Sequence, residues 1–158
     1  MDEGRGRHAD YLRLEFPSRP ENIGLARLTV AAFAARLPFA VSEIQHDLRV
    51  AVSETVTNAV VHAYPKRAGR VVVEAWVSGG RLGVTVEDWG RGFDPEAVAE
   101  PDPDGEHMGI GLQIARACMD RLVIDSVPGR GTRVLMEKAP TVRTAEEAAA
   151  TAPETPGG

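Results

Sequence analysis

Three short segments, taken in order, constrain the fold of this chain more than any other feature. Glu54 and Asn58 stand four residues apart where apolar residues recur at helical spacing, so both side chains lie on one helix face. Residues 88–92 (Asp-Trp-Gly-Arg-Gly) place an acid at a strand end before two glycines. Residues 109–112 (Gly-Ile-Gly-Leu) open a helix with glycines, whose backbone N–H groups suit phosphate oxygens. We expect the fold to bring these segments into one pocket. Such a pocket would bind a nucleotide and a divalent cation and would contain a proton acceptor.

The spacing of apolar residues predicts five strands and three helices. Strand-like runs cover residues 12–16, 71–77, 81–87, 122–125 and 132–136. Helical spacing extends from Ser18 or Glu21 to about Leu37, from Ser42 to just before Pro65, and from Gly109 to about Asp120. This order favours an α/β fold of the α+β type, a two-layer sandwich whose helices cover one face of a mixed, mostly antiparallel sheet.

Three regions depart from this pattern. Residues 1–10 are mostly polar, and we expect a flexible N-terminus before a single domain over residues 11–138. Residues 139–158 consist mainly of Ala, Thr, Glu, Pro and Gly, which predicts a disordered tail. Residues 93–107 hold two Asp-Pro pairs and one Glu-Pro pair but no Lys or Arg. This segment is too long for a plain connection and is interpreted as a functional lid.

Charge and composition exclude several classes of protein. The formal net charge of −5 disfavours binding to the phosphate backbone of nucleic acids, and no basic stripe is visible along the sequence. The uncharged apolar stretch over residues 28–35 is too short to span a bilayer, and no secretory signal is recognisable. The single cysteine, Cys118, excludes an internal disulfide framework and a cysteine-based zinc site. We therefore expect a cytoplasmic protein that binds neither membrane nor nucleic acid.

In this order, the three segments resemble the N, G1 and G2 boxes of the GHKL ATPase and kinase superfamily, whose nucleotide-binding unit is the Bergerat fold. Residues 129–132 (Gly-Arg-Gly-Thr) resemble the G3 box between the last two strands. Residues 14–16, 26–33 and 52–62 are similar to the anti-sigma serine kinases, most of all to the sporulation branch, with the general stress kinases as the other branch. The resemblance covers roughly residues 11–138.

A metal ligand and a base are expected on the second helix. The neutral side-chain oxygen of Asn58 suits an Mg²⁺ ion whose charge is already balanced by phosphate. Glu54 lies one turn earlier, about 6 Å along the helix axis. There its carboxylate would accept the proton of an attacking hydroxyl. The resemblance implies the same roles, with Asn58 in metal and ATP binding and Glu54 in catalysis.

The resemblance also implies how the adenine of ATP or ADP is held. In the family, the carboxylate at the position of Asp88 accepts the exocyclic amine of adenine, a contact that rejects guanine. Gly90 and Gly92 would let the backbone pass close to the base. Thr132 would add a hydroxyl on the adenine side.

The phosphates are expected at the start of the third long helix, where Gly109, Gly111 and Leu112 stand. The sporulation kinases usually carry an arginine just before these glycines, facing the γ-phosphate. His107 occupies that place here, and a neutral imidazole is a weaker ligand for anions than a guanidinium group. This difference concerns the kinase rate more than nucleotide binding.

The resemblance implies an anti-sigma factor and serine-protein kinase. Such a protein holds a sigma F-like factor of RNA polymerase inactive and uses Mg-ATP to phosphorylate a serine of a STAS-type anti-anti-sigma factor. Family members act as homodimers, and we expect the first strand and first helix to build the dimer and the sigma contact. In the family, an arginine at the position of Arg27 contacts both protein partners.

Three other functions are compatible with parts of these patterns. His46 and its neighbours resemble the phosphoacceptor box of a histidine kinase, but His46 lies on the helix of Glu54, only about 12 Å along the axis, and cannot reach its own pocket. Gyrase-type and mismatch-repair ATPases need a second, transducing domain. The remaining alternative is a module that binds nucleotide and sequesters a sigma factor with weak or no kinase activity, which the acidic segment 93–107 and His107 favour.

Overall fold

The computed structural model describes residues 10–37, 42–98 and 108–139. These residues form the strands β1 (Tyr11–Pro17), β2 (Arg70–Ser78), β3 (Arg81–Asp88), β4 (Arg121–Val127) and β5 (Gly131–Lys138). They also form the helices α1 (Glu21–Ala35), α2 (Ser42–Asn58), α3 (Pro95–Val98) and α4 (Met108–Cys118), and a π-helical turn, Ala59–Ala63, extends α2. The predicted strands and long helices are all present, with small shifts at their ends. Residues 1–9, the tail from 140 onward and His107 lie outside the described residues, so the predictions made for them stay predictions.

The five strands form one sheet in the order β1-β2-β3-β5-β4, and each neighbouring pair is antiparallel. The prediction of a mostly antiparallel sheet is confirmed, and the described strands contain no parallel pair. The register places Asp88, the last residue of β3, opposite Val71 of β2 and Thr132 of β5. The π-helical turn contacts both β3 and β5. The end of α2 therefore meets the end of β3 and the start of β5 at one end of the sheet.

The long helices cover one face of the sheet. Alternate residues of the three central strands point toward them and share one apolar core with residues of α1, α2 and α4, including Val73, Ala75, Val84, Val86, Met136, Val30, Leu48, Val52 and Leu112. Full burial of a side chain such as Val or Leu stabilises the fold by about 1.5–3 kcal/mol. On the opposite face, Arg13 forms ion pairs with Glu15 and Glu74. The two-layer sandwich is thereby confirmed.

The second helix changes its hydrogen-bond period at its end. The α-helical pattern ends at Asn58, and residues 59–63 continue as a π-helical turn. The backbone then leaves helical geometry at Tyr64, with φ −128° and ψ 82°. Apolar spacing predicted a continuous helix up to Pro65 and could not show this change. Single π-helical turns of this kind are frequent at functional sites.

The predicted loop over residues 93–107 is wrong at residues 95–98, which form the short helix α3. The backbone N–H of Glu96 donates to Oδ1 of Asp94 at 3.0 Å, so Asp94 acts as an N-terminal cap. Pro95 stands in the first helical position, where its missing N–H costs no hydrogen bond. The rest of the predicted lid, residues 99–107, lies outside the described residues.

The first helix is apolar on its outer side as well as its inner side. Leu25 and Leu28 are 48% and 59% exposed, while Ala26 and Val30 are fully buried. Within residues 10–37, 42–98 and 108–139, no helix combines the length and the apolar character needed to cross a membrane.

Candidate functional site

Four of the five residues predicted to hold adenine or the metal line one cavity at one end of the sheet, whereas Gly90 lines a neighbouring cavity. Asn58, Asp88, Gly92 and Thr132 line a single narrow cavity between the end of α2 and the central strands. The same cavity is lined by residues to which the sequence assigned no firm role, namely His62, Ala63, Arg91 and Phe93. The antiparallel register brings Asp88 and Thr132 side by side, although they are far apart in the sequence.

Asp88 is a buried acid in the lining of this cavity. Its side chain is only 5% exposed, and its Oδ1 accepts a hydrogen bond from the backbone N–H of Gly90 at 3.0 Å. Burial raises the pKa of the Asp88 carboxyl, while the backbone N–H groups of Gly90 and Thr132 act against that rise. A buried carboxylate with few partners of its own is suited to accept a hydrogen bond from a ligand.

Asn58 offers the cavity a polar atom without a partner. Its residue is 8% exposed, and the side-chain Oδ1 accepts no hydrogen bond from any residue that the structure describes. A buried polar atom left without a partner costs about 1–3 kcal/mol, so such atoms in native proteins usually serve a ligand, a water molecule or a metal. An amide oxygen is a ligand that Mg²⁺ accepts. The Oδ1 atom of Asn58 is therefore a suitable ligand for the metal ion expected from the sequence.

Glu54 lies one helical turn before Asn58 and faces the glycine-bearing start of α4. A Cβ atom placed on Gly111 would lie 2.6 Å from Oε2 of Glu54, closer than real contacts allow. Gly111 thus leaves the space that the Glu54 carboxylate occupies. The structure brings the predicted base and this predicted phosphate-site glycine into direct contact.

The other predicted phosphate residues lie at a second cavity, of about 250 Å³, beside α4. Gly109 and Leu112 line it together with Phe93 and Pro95. Leu112 is 4% exposed and its side chain belongs to the apolar core, so only its backbone remains for a phosphate. Phe93 lines both cavities, so the cavity predicted for adenine adjoins the one predicted for the phosphates.

Sequence reasoning missed Tyr64, which ties the site together. Its hydroxyl accepts a hydrogen bond from the backbone N–H of Trp89 at 2.8 Å and donates one to the backbone C=O of Arg70 at 2.6 Å. Burial raises the pKa of the Tyr64 hydroxyl, so it stays protonated and able to donate. Tyr64 thereby holds the residue after Asp88 against the start of β2. Residues 64, 70 and 89 are separated in the sequence, so no local sequence pattern predicts these two hydrogen bonds.

The loop after β3 is also fixed by backbone contacts. The N–H of Arg91 donates to the C=O of Ala63 at 2.8 Å, and the C=O of Arg91 accepts from the N–H of Gly129 at 2.6 Å. Gly92 has a positive φ of 60°, and a side chain there would collide with the backbone C=O of Val127. A glycine is therefore required at Gly92 by backbone geometry, before any ligand is considered.

Ser126 is a second residue that the sequence assigned no role. Its hydroxyl lies 2.7 Å from the Thr132 hydroxyl and accepts a hydrogen bond from the backbone N–H of Phe93 at 2.9 Å. It connects the predicted adenine-side hydroxyl to the start of the acidic segment. The only sequence signal is that two hydroxyl residues face each other across the turn between β4 and β5.

Arg27 lies apart from both cavities, on the exposed side of α1. Its guanidinium group lies beside Gly24, about one turn earlier on the helix. This position is compatible with the predicted role in binding a protein partner and not with contact to the nucleotide.

Comparison with known proteins agrees with the fold. Residues 16–138 match the model of the histidine kinase-like ATPase domain family. The anti-sigma F factor of Thermoanaerobacter sp. strain X514 is 37% identical over 136 residues, which cover 83% of this chain and 94% of the relative. The anti-sigma F factor of Clostridium beijerinckii is 39% identical over 133 residues, 80% of this chain and 92% of the relative.

Two solved structures share the fold. The RsbU and RsbW domains of a Mycobacterium tuberculosis protein superpose with a TM-score of 0.61 at 23% identity, over 82% of this chain and 31% of that polypeptide. The histidine kinase domain of a blue-light activated histidine kinase from Erythrobacter litoralis gives a TM-score of 0.53 at 24% identity, over 75% of this chain and 61% of that polypeptide. From the family model and the relatives together, the chain belongs to the histidine kinase-like ATPase domain family, alongside the anti-sigma F factors.

Proposed function

We propose that this protein is an anti-sigma factor and serine-protein kinase. It binds and inhibits a sigma F-like factor of RNA polymerase and uses Mg-ATP to phosphorylate a serine of a STAS-type anti-anti-sigma factor. The family and the names of the relatives support the class of function. The observation that carries the nucleotide chemistry is the buried Oδ1 of Asn58, which has no hydrogen-bond partner among the described residues and lines the same cavity as the buried carboxyl of Asp88.

Adenine would be recognised by Asp88. Its carboxylate would accept the exocyclic amine, and guanine, which carries an oxygen at that position, would leave the buried carboxylate without a donor. Loss of a hydrogen bond at a site built to form it costs far more binding free energy than loss of an apolar contact. Gly92 and Thr132 line the cavity around this group, and Gly90 donates its backbone N–H to the Asp88 carboxylate.

Asn58 would hold Mg²⁺ through its neutral oxygen, and the ion when bound would offset negative charge on the phosphates. The N-terminus of α4, with Gly109, Gly111 and the backbone of Leu112, would bind the phosphates through N–H groups. Glu54 would accept the proton of the partner's serine hydroxyl. The serine oxygen would form a bond to the γ-phosphorus as the bond to ADP breaks.

Protein partners would contact the first helix. Leu25 and Leu28 expose apolar surface on α1, and Arg27 adds an exposed charge to the same element. Clustered exposed apolar residues on a helix indicate a surface that is covered in the assembled state. We assign this surface to the homodimer and to the sigma contact.

Transfer of radiolabelled phosphate from ATP to a STAS-domain protein tests this function. Glu54→Gln keeps the shape of the side chain but removes the base, and we expect transfer to fall by about 100-fold or more. Glu43→Gln, at the exposed start of the same helix, is the matched control and should leave transfer unchanged. Equal transfer by the Glu54 variant would remove Glu54 from the role of base.

The second candidate is a nucleotide-bound module that sequesters a sigma factor with little kinase activity. It is favoured by the acidic segment 93–107, which carries no Lys or Arg, and by His107 in the place of an arginine. Wild-type protein that binds ATP and the sigma factor but transfers no phosphate would establish this function instead.

A further inference from the structure

A third cavity, of about 630 Å³, lies beside the cavity of Asn58 and Asp88 and shares Ala63 and Arg91 with it. Gly90, predicted to lie near the adenine, also lines this third cavity. The third cavity is formed by the loop after the π-helical turn and by the loop after β3. Its aromatic and apolar lining includes Tyr64, Pro65 and Trp89, and its charged lining consists of Lys66, Arg67 and Arg91. The volume lies in the range of cavities that take specific ligands.

The charges of this cavity are all positive. Among the residues that the structure describes, no acid contributes to its lining, although the chain as a whole carries a net charge of −5. The side chains of Lys66, Arg67 and Arg91 form no ion pair or hydrogen bond with any residue in the described part of the chain. The fold brings residues 66–67 next to residue 91 and thus creates a basic patch that the sequence does not reveal.

The aromatic lining is held in place by contacts within the chain. Trp89 is 43% exposed, and the guanidinium carbon of Arg70 lies 3.8 Å from the centroid of its ring. The backbone of Trp89 is held by the hydroxyl of Tyr64. An exposed tryptophan held in place next to tyrosine and arginine side chains has the composition of the energetic centre of a protein interface.

The loop that forms the cavity is tied to the start of α1. The backbone N–H of Ser18 donates to the C=O of Gly69 at 2.8 Å, and the N–H of Gly69 donates to the Ser18 hydroxyl at 2.9 Å. Ser18 stands three residues before α1, which carries Arg27. The basic cavity therefore adjoins the element to which we assign partner binding.

We propose that this cavity binds an acidic segment of a protein partner. An apolar side chain of the segment would pack against Pro65 and Trp89, and carboxylates on either side of it would face Lys66, Arg67 and Arg91. A nucleic-acid ligand is disfavoured because the net negative charge of the whole chain repels a long polyanion. The identity of the partner as a sigma or STAS protein rests on the proposed function, whereas the chemistry of the cavity does not.

Fluorescence anisotropy of labelled peptides tests the proposal on the full chain. The probe is a pool of dodecapeptides in which Glu or Asp alternates with Leu, Ile, Phe or Ala. The same pool with Lys in place of the acids and an oligothymidine of equal length are the comparison ligands. The test variant is Lys66→Glu/Arg67→Glu, and the matched control is Arg49→Glu/Arg81→Glu, which changes the net charge equally at exposed residues outside the cavity.

We expect the acidic pool to bind the wild type more tightly than both comparison ligands. Its affinity should fall by about tenfold or more in the test variant and change by less than about twofold in the control variant. No saturable binding of the acidic pool, equal binding of oligothymidine, or equal losses in both variants would overturn the proposal. Calorimetry of Mg-ATP on the same proteins keeps the two proposals distinguishable. Failure of the wild type to bind ATP would contradict the nucleotide function and leave the peptide result standing.

Discussion

Replacement of Tyr64 by Phe is the sharpest perturbation of the site that the structure offers. It removes a single hydroxyl, which accepts from the N–H of Trp89 and donates to the C=O of Arg70. The ring remains, and it fills the space in front of Gly69, where a side chain would collide with it. The variant therefore tests the two hydrogen bonds and not the packing.

The size of the effect follows from the two bonds. Each intramolecular hydrogen bond contributes about 0.5–1.5 kcal/mol net, and the half-buried position of Tyr64 lets water replace part of this. We expect the free energy of unfolding to fall by about 1–2 kcal/mol, which lowers Tm by roughly 4–8 °C. Because the freed N–H belongs to the residue after Asp88, the carboxyl of Asp88 should also lose its fixed position.

Nucleotide binding separates this positioning effect from a general loss of stability. Calorimetry should compare ATP with purine riboside triphosphate, which lacks the exocyclic amine, below the unfolding temperature of both proteins. We expect Tyr64→Phe to lower the affinity for ATP by about threefold to tenfold and to leave the affinity for the analogue nearly unchanged. Equal weakening of both ligands would refute the idea that Tyr64 positions Asp88.

Tyr11→Phe is the matched control for this experiment. The Tyr11 hydroxyl donates to Glu74 at 2.6 Å on the exposed face of the sheet, away from both cavities. It should cost less stability than Tyr64→Phe and should leave the affinity for both nucleotides unchanged. Losses of the same size in the two variants would contradict the account.

Three further changes test other parts of the site. Gly111→Ala would place a methyl group against the Glu54 carboxylate, so phosphate transfer should fall by about tenfold or more, whereas Gly24→Ala, which meets only the Arg27 side chain at 3.7 Å, should leave transfer unchanged. Burial raises the pKa of the Asp88 carboxyl, so folding favours its protonated form. The stability that this form gives the folded protein is present at low pH and is lost as the pH rises through the raised pKa. Asp88→Asn should therefore raise Tm relative to the wild type near pH 7 but not below about pH 4, while calorimetry should show a weaker preference for ATP over GTP. Ser126→Ala removes the acceptor for the Phe93 N–H and the partner of the Thr132 hydroxyl, and thermal unfolding followed by circular dichroism should show a loss of about 1–2 kcal/mol. A Tm equal to that of the wild type would mean that these two hydrogen bonds do not stabilise the fold.

The order and type of the main elements could be predicted because the apolar residues keep a clear period. Residues 71–77 and 81–87 fall on strands of nearly those bounds, and the stretch predicted as the second helix carries Leu48 and Val52 on its core face. The first two short segments also indicated that Asn58, Asp88 and Gly92 would share a cavity, whereas Gly109 and Leu112 of the third segment line a separate one. The register of β3 against β5 then brought Asp88 and Thr132 together as that hypothesis required.

The remaining features depend on contacts that no local pattern encodes. The π-helical turn at Ala59–Ala63 is a change of hydrogen-bond partners within a stretch that still has helical spacing. Tyr64 acquires its role only when residues 70 and 89 are brought next to it by the sheet. The basic cavity likewise joins residues that are more than twenty positions apart, which hides it in a chain of net negative charge. Helix α3, in contrast, could have been predicted from the sequence. Asp94 followed by Pro95 is typical of a helix N-terminus, although it lies inside the segment interpreted as a loop.

The dependence of ATP binding on Mg²⁺ tests the central claim most directly, because the claim rests on the unpartnered oxygen of Asn58. Calorimetry should measure the affinity of wild type and Asn58→Ala for ATP with Mg²⁺ and with excess chelator. We predict that removing Mg²⁺ weakens binding to the wild type by about tenfold or more and changes binding to the variant by less than about threefold. An equal loss of affinity in both proteins on removing Mg²⁺ would show that Asn58 is not the metal ligand and would contradict the account.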